Sequence, residues 1–82
     1  MKKPYVLGWE CEGHLYIRFE DTEATHADAY AELFRSHLSY TINWECEQNA
    51  YRLTLHAMQE ACVLAEHYFG PRSFTYLGVG LH

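Results

Sequence analysis

The sequence predicts an α+β domain of two strand–strand–helix units and a final strand, ββαββαβ. Three observations carry that expectation. Apolar residues alternate with polar ones over residues 5–11, 15–20, 40–47 and 51–55, the period of half-buried strands. Two longer stretches carry apolar residues at helical spacing. The tetrapeptide Trp9-Glu10-Cys11-Glu12 returns as Trp44-Glu45-Cys46-Glu47, thirty-five residues on, and uses both tryptophans of the chain.

At the same offset Tyr5 matches Tyr40, Tyr16 matches Tyr51 and Phe34 matches Phe69, which reads as an internal duplication. The 82 residues form a single domain, 1–82, with units at about 5–39 and 40–74 and a last strand at 74–81. The sheet is expected to be mostly antiparallel or mixed, with both helices on one face. Without its first strand the string becomes βαββαβ, so a ferredoxin-like variant is one expected strand order.

In order along the chain, Tyr5, Leu7, Trp9 and Cys11 are expected inward, with Val6, Gly8, Glu10 and Glu12 outward. Glu12-Gly13 offers a tight turn. Leu15, Ile17 and Phe19 face the core from the next strand, with Tyr16 and Arg18 opposite. Thr25 three residues before Asp28 resembles a capping box with Asp in place of Glu. Ala27, Tyr30, Ala31, Phe34 and Leu38 then form one helical face.

In the second unit Tyr40, Ile42, Trp44 and Cys46 are expected inward, and Glu45 and Glu47 outward. After a turn near Gln48-Asn49, Tyr51, Leu53 and Leu55 face the core. The inward phase of Tyr51 conflicts with its match to Tyr16, so one hairpin carries an extra residue. Met58, Ala61, Cys62, Ala65 and Phe69 form the second helical stripe. Gly70 and Pro71 end it. In the last strand, Leu77-Gly78-Val79-Gly80 marks a bulge or a close backbone approach.

Chemistry-bearing patterns are sparse. Cys11 and His14, and Cys62 and His67, are spaced like half a metal knuckle each, and structural zinc needs four ligands. No metal and no cofactor are expected. The three cysteines read as reduced thiols, with Cys11 and Cys46 packed beside tryptophan. No nucleophile elbow or phosphate cradle is present, so the chain is not expected to be an enzyme. Export-signal grammar fails at Glu10 and no long apolar span occurs, so a cytoplasmic protein is expected.

Charge is the more informative signal. The net charge is −5, and residues 10–32 hold seven acids against Arg18 alone. An acidic lobe repels nucleic-acid phosphates and attracts basic protein surfaces, so direct nucleic-acid binding is disfavoured, and with no long apolar span no membrane partner is expected. Seven tyrosines add aromatic contact area, with Tyr16 and Tyr76 expected on the sheet face away from the helices. Glu10, Glu12, Tyr16, Glu20, Asp21, Glu23, Glu45 and Glu47 are the expected partner contacts.

The function expected from this pattern is a small acidic binding protein that occludes a basic, nucleic-acid-binding surface of a protein partner. Anti-CRISPR and antirestriction proteins, inhibitors carried by viruses and mobile elements, have this general character in size and charge. Two alternatives stand beside it. One is a small-ligand or metal-responsive module around Cys11, Cys46 and His56. The other is a self-associating structural protein, paired through its last strand, so that the chain is a monomer or a homodimer.

Overall fold

A computed structural model describes residues 3–79. Along the chain it contains β1 (Tyr5–Cys11), β2 (His14–Glu20), α1 (Ala24–His37), β3 (Asn43–Glu45), β4 (Ala50–Thr54), a 3-10 turn (Leu55–Ala57), α2 (Met58–Phe69) and β5 (Phe74–Val79). The protein is thus α+β, with one five-stranded mixed sheet and two helices. The strand order is β3-β4-β2-β1-β5, with β1 and β5 parallel and the other neighbours antiparallel. Leaving β1 out, the order is that of a split βαβ pair. β1 is inserted between β2 and β5.

The alternation of β2 sets the layers. Leu15, Ile17 and Phe19 are buried, and all three join Ala31 and Phe34 of α1, Ala65 and Phe69 of α2, and Tyr51 and Leu53 of β4 in one core. Both helices therefore cover the same sheet face. Phe34, Leu15, Ile17, Ile42, Leu53 and Val6 are its largest fully buried side chains, each worth roughly 1.5–3 kcal/mol of transfer free energy. Phe19 sits edge-on to Phe34 (5.1 Å between centroids), Tyr51 (6.0 Å) and Phe69 (6.3 Å), the geometry that ring quadrupoles favour.

The phase of β1 is the reverse of the expected one. Val6 joins the helix-side core, and Val6 and Gly8 lie opposite Phe19 and Ile17. Leu7, Trp9 and Cys11 therefore point to the other face. Gly8 shows why. A Cβ built there would lie 2.7 Å from Cζ of Phe74, so the Phe74 ring occupies the space above the glycine on the helix side. Tyr76 pairs with Gly8 and is likewise on the helix side, not on the far face.

The two hairpins also differ. Glu12 and Gly13, with φ of 51° and 80°, make the expected tight turn between seven-residue strands. The second hairpin has strands of three and five residues, joined by the longer turn Cys46–Asn49. Tyr16 and Tyr51, matched in sequence, fall on opposite faces, as do Trp9 and Trp44. Tyr40, Trp44 and Cys46, expected inward, are exposed: β3 is the short edge strand of the sheet, Tyr40 precedes it and Cys46 opens the turn that follows it. Tyr51 itself is inward, as its own strand period requires.

α1 starts one residue before Thr25, with Glu23 at the N-cap and no side-chain cap bond. The expected capping box does not form, because Asp28 is used elsewhere: its Oδ1 accepts the Tyr51 hydroxyl at 3.0 Å. At the end of α2, Gly70 has φ 102° and ψ 176°, a region reserved for glycine, and its N–H donates to Glu66 O. Gly78, at φ 93°, marks a register shift between β5 and β1, the expected bulge. Gly80, Leu81 and His82, expected to continue the last strand, lie outside the described residues.

Candidate functional site

The sheet face away from the helices is built by the second set of alternating residues. β1 contributes Leu7, Trp9 and Cys11, and β2 contributes Tyr16 and Arg18. Trp9 and Tyr16 are cross-strand partners and stack, with centroids 6.0 Å apart and planes inclined by 18°. With Ala50, Leu7 and Cys11 they form a second, smaller apolar cluster. Trp9 is only 2% exposed, an unusual value on a face no helix covers.

The cover comes from the Cys46–Asn49 turn and from Arg18. The Arg18 guanidinium carbon stands 5.0 Å from the centroid of the Trp9 ring. Its Nε donates to Asn49 O at 2.9 Å and its Nη2 to Gln48 O at 3.0 Å. One side chain therefore clamps the turn and caps the indole. Asn49 completes the turn with its N–H to Cys46 O (3.1 Å) and a left-handed φ of 51°. The Gln48 amide reaches the Cys11 sulfur at 4.0 Å.

Folding the turn inward creates an acidic depression of about 230 Å³, with Tyr16 against its wall and Cys11, Glu12, Glu45, Glu47, Gln48 and Arg52 around it. Arg52 Nη1 pairs with Glu45 Oε2 at 3.4 Å. Glu12 and Glu47 are exposed and hold no ion pair among the described residues. Two hairpins thus deliver three carboxylates to one place, with one cation among them. Such a site suits guanidinium or ammonium groups.

Four of the eight expected contacts, Glu12, Tyr16, Glu45 and Glu47, are brought together here. The others are not. Glu10 is on the helix side of β1, opposite Leu15 and half-buried. Glu20, Asp21 and Glu23 lie at the other end of β2, Glu20 opposite Tyr5, Asp21 in the bend with φ 56° and Glu23 capping α1. The expected single acidic lobe is therefore divided. Glu20 borders a separate depression of about 290 Å³ that also holds Asp28, Tyr51 and Trp44. Trp44, 50% exposed and edge-on to Tyr51 at 5.0 Å, is an exposed aromatic beside it that strand periodicity placed inside.

Sequence reading missed Arg18 and Gln48 as the residues that shape the site. Part of the signal was available, since Arg18 is the lone Lys or Arg between residues 10 and 32, but its place on the face of Trp9 was hidden by the inward phase expected for Trp9. The Cys11, Cys46 and His56 grouping does not form. Cys11 is under the turn, Cys46 is exposed, and His56 borders a groove of about 420 Å³ with His37 and Glu60 near the helices. All three cysteines are free thiols. Among the described residues no group of three or more His, Cys, Asp or Glu is arranged to hold a metal ion, and no helix is long and apolar enough to cross a membrane.

Among the described residues two groups have shifted titration. Burial, then the hydrogen bond to Asp28 and its charge, push the Tyr51 phenol above its usual range. Burial, then the Glu66 carboxylate, push the Cys62 thiol up. Cys62 lies on α2, and a raised pKa keeps it as thiol and makes it less nucleophilic. Comparison with protein-family models, curated proteins and solved structures finds no match to the chain.

Proposed function

We propose that this chain is a small acidic, non-enzymatic binding protein that occludes a basic, nucleic-acid-binding surface on a partner protein, in the manner of anti-CRISPR and antirestriction inhibitors. The observation that carries this reading is the convergence of Glu12, Glu45 and Glu47, from two hairpins, around one open depression. Glu47 sits on the turn clamped by Arg18, Glu45 on β3 and Glu12 in the tight turn between β1 and β2. The backbones that carry the carboxylates are therefore ordered before a partner docks.

Magnitudes set what the site can contribute. Exposed ion pairs are worth about 0.2–1 kcal/mol each, so three carboxylates alone give a weak complex. They act mainly on encounter rate and on choice of partner. Affinity beyond that needs buried apolar contact at the rim, since Trp44, 50% exposed, lies on the helix side of β3 and away from this depression.

The test uses the immobilised protein and lysate at low and high ionic strength, beside a Glu12→Gln/Glu47→Gln variant. The reading expects captured proteins that are released by salt, are displaced by duplex DNA or RNA, and are absent from the variant. Proteins retained equally by the variant, or insensitive to polynucleotide, would refute it.

A further inference from the structure

The two edges of the sheet are treated differently. β3 is three residues long and carries Glu45, both devices that discourage strand pairing. β5 has six residues, Phe74–Val79, without a charge or a proline, and Tyr76, Leu77 and Val79 are exposed. Among the described residues none pairs with its outer side.

The ladder with β1 defines which backbone groups point outward. Val6 N–H donates to Ser73 O at 2.7 Å. In a parallel ladder alternate residues bond to the same side. Ser73, Thr75 and Leu77 therefore bond toward β1, while the N–H and C=O of Phe74 and Tyr76 point away from it.

We infer that β5 is a homodimerisation strand, pairing antiparallel with β5 of a second copy about a twofold axis at Tyr76. In this register the two Tyr76 residues exchange both backbone bonds, and each Thr75 faces Leu77 of the other copy. The helix layers of the two copies lie on the same side, and the sheet grows to ten strands.

A second copy fits this edge better than another partner for two reasons. The strand is uncharged in a chain of net charge −5, so it offers nothing to a basic protein drawn by the carboxylates. Self-pairing also creates charge complementarity at both ends. Arg72, exposed in the turn before β5, reaches the far end of the neighbouring strand, where Val79 pairs with Glu10. Two strand spacings, roughly 10 Å, then separate the backbones carrying Arg72 and the other copy's Glu10, a gap that these long side chains can bridge.

Sedimentation velocity of the full chain over a concentration series tests the inference. The wild type should dimerise. Tyr76→Pro removes an N–H that the fold does not use, so it should give a folded monomer with an unchanged far-ultraviolet circular dichroism spectrum. Arg72→Glu should weaken dimerisation about tenfold, and adding Glu10→Arg should restore it. A wild type that stays monomeric at roughly 100 μM overturns the inference. So does a folded Tyr76→Pro dimer. Should that variant unfold, the charge pair decides: equal dissociation constants for wild type and Arg72→Glu overturn it too.

Discussion

Arg18→Ala removes the clamp that shapes the acidic depression, and its cost follows from three contacts. The cation over Trp9, partly desolvated, is worth about 1 kcal/mol. The bonds to Gln48 O and Asn49 O are charge-assisted, and discounting for partial exposure leaves about 1 kcal/mol each. The sum is about 2–3 kcal/mol, from a total near 4–12 kcal/mol for a domain of this length. Urea unfolding should show that loss, and the melting temperature should fall by roughly 10–20 °C. Trp9 reports the cause. In a Trp44→Phe background its emission should shift to the red and become open to acrylamide. Arg18→Lys keeps a cation near the ring but loses the fork that serves two carbonyls, so it should recover less than half of the loss. A loss below about 0.5 kcal/mol with unchanged Trp9 emission would show that the turn folds over the sheet without the clamp.

Other consequences are open to measurement. Gly8→Ala forces the new methyl against the Phe74 ring, and should cost about 1–3 kcal/mol unless Phe74 is reduced to Leu in the same chain, a double-mutant cycle that denaturation reads directly. Phe34→Ala empties the centre of the core and should cost about 3–5 kcal/mol, enough to leave much of the protein unfolded in thermal melts. The raised pKa of Tyr51 means that folding favours the neutral phenol. Its contribution is intact below the unfolded value near 10 and is lost as pH rises through the higher folded value, so Tyr51→Phe should flatten the stability curve above pH ~10. Ellman's reagent at pH ~8 should label exposed Cys46 first and Cys62 slowly, because burial keeps the latter as thiol.

The sequence was most legible where one face of an element is wet. α1 and α2 carry their core residues at the expected positions, because only one stripe of each is buried. β2 keeps its expected core phase in Leu15, Ile17 and Phe19, although Tyr16 on its other face is buried as well. β1 was misread because both of its faces are covered. Val6 is under the helices, while Trp9 is under Arg18 and the turn. Alternation cannot assign a face to such a strand, and Gly8 was the only local clue. The repeated Trp-Glu-Cys-Glu misled for a related reason. A two-residue turn follows one copy and a longer turn the other, so matched residues meet different neighbours. Half of the candidate site was readable, since outward carboxylates on strands need no tertiary knowledge. Glu10, Glu20, Asp21 and Glu23 were grouped by sequence proximity, which a strand length of seven residues undoes.

Dimerisation and partner binding should be energetically independent, for a geometric reason. The acidic depression is lined from β1, β2, β3 and β4 and the two hairpin turns, and the twofold strand is β5. From β2 of one copy to β2 of the next there are five strand steps. Adjacent strands are rotated by about 20–25°, so the two depressions face directions roughly 100–125° apart. A compact partner spans only one of them and gains no avidity from the second. Titration calorimetry of a captured partner should therefore give one partner per chain, with equal affinity for the wild type and for Tyr76→Pro. If affinity falls when the dimer is broken, the two faces serve one partner together, and the sheet is flatter across β5 than ordinary twist allows.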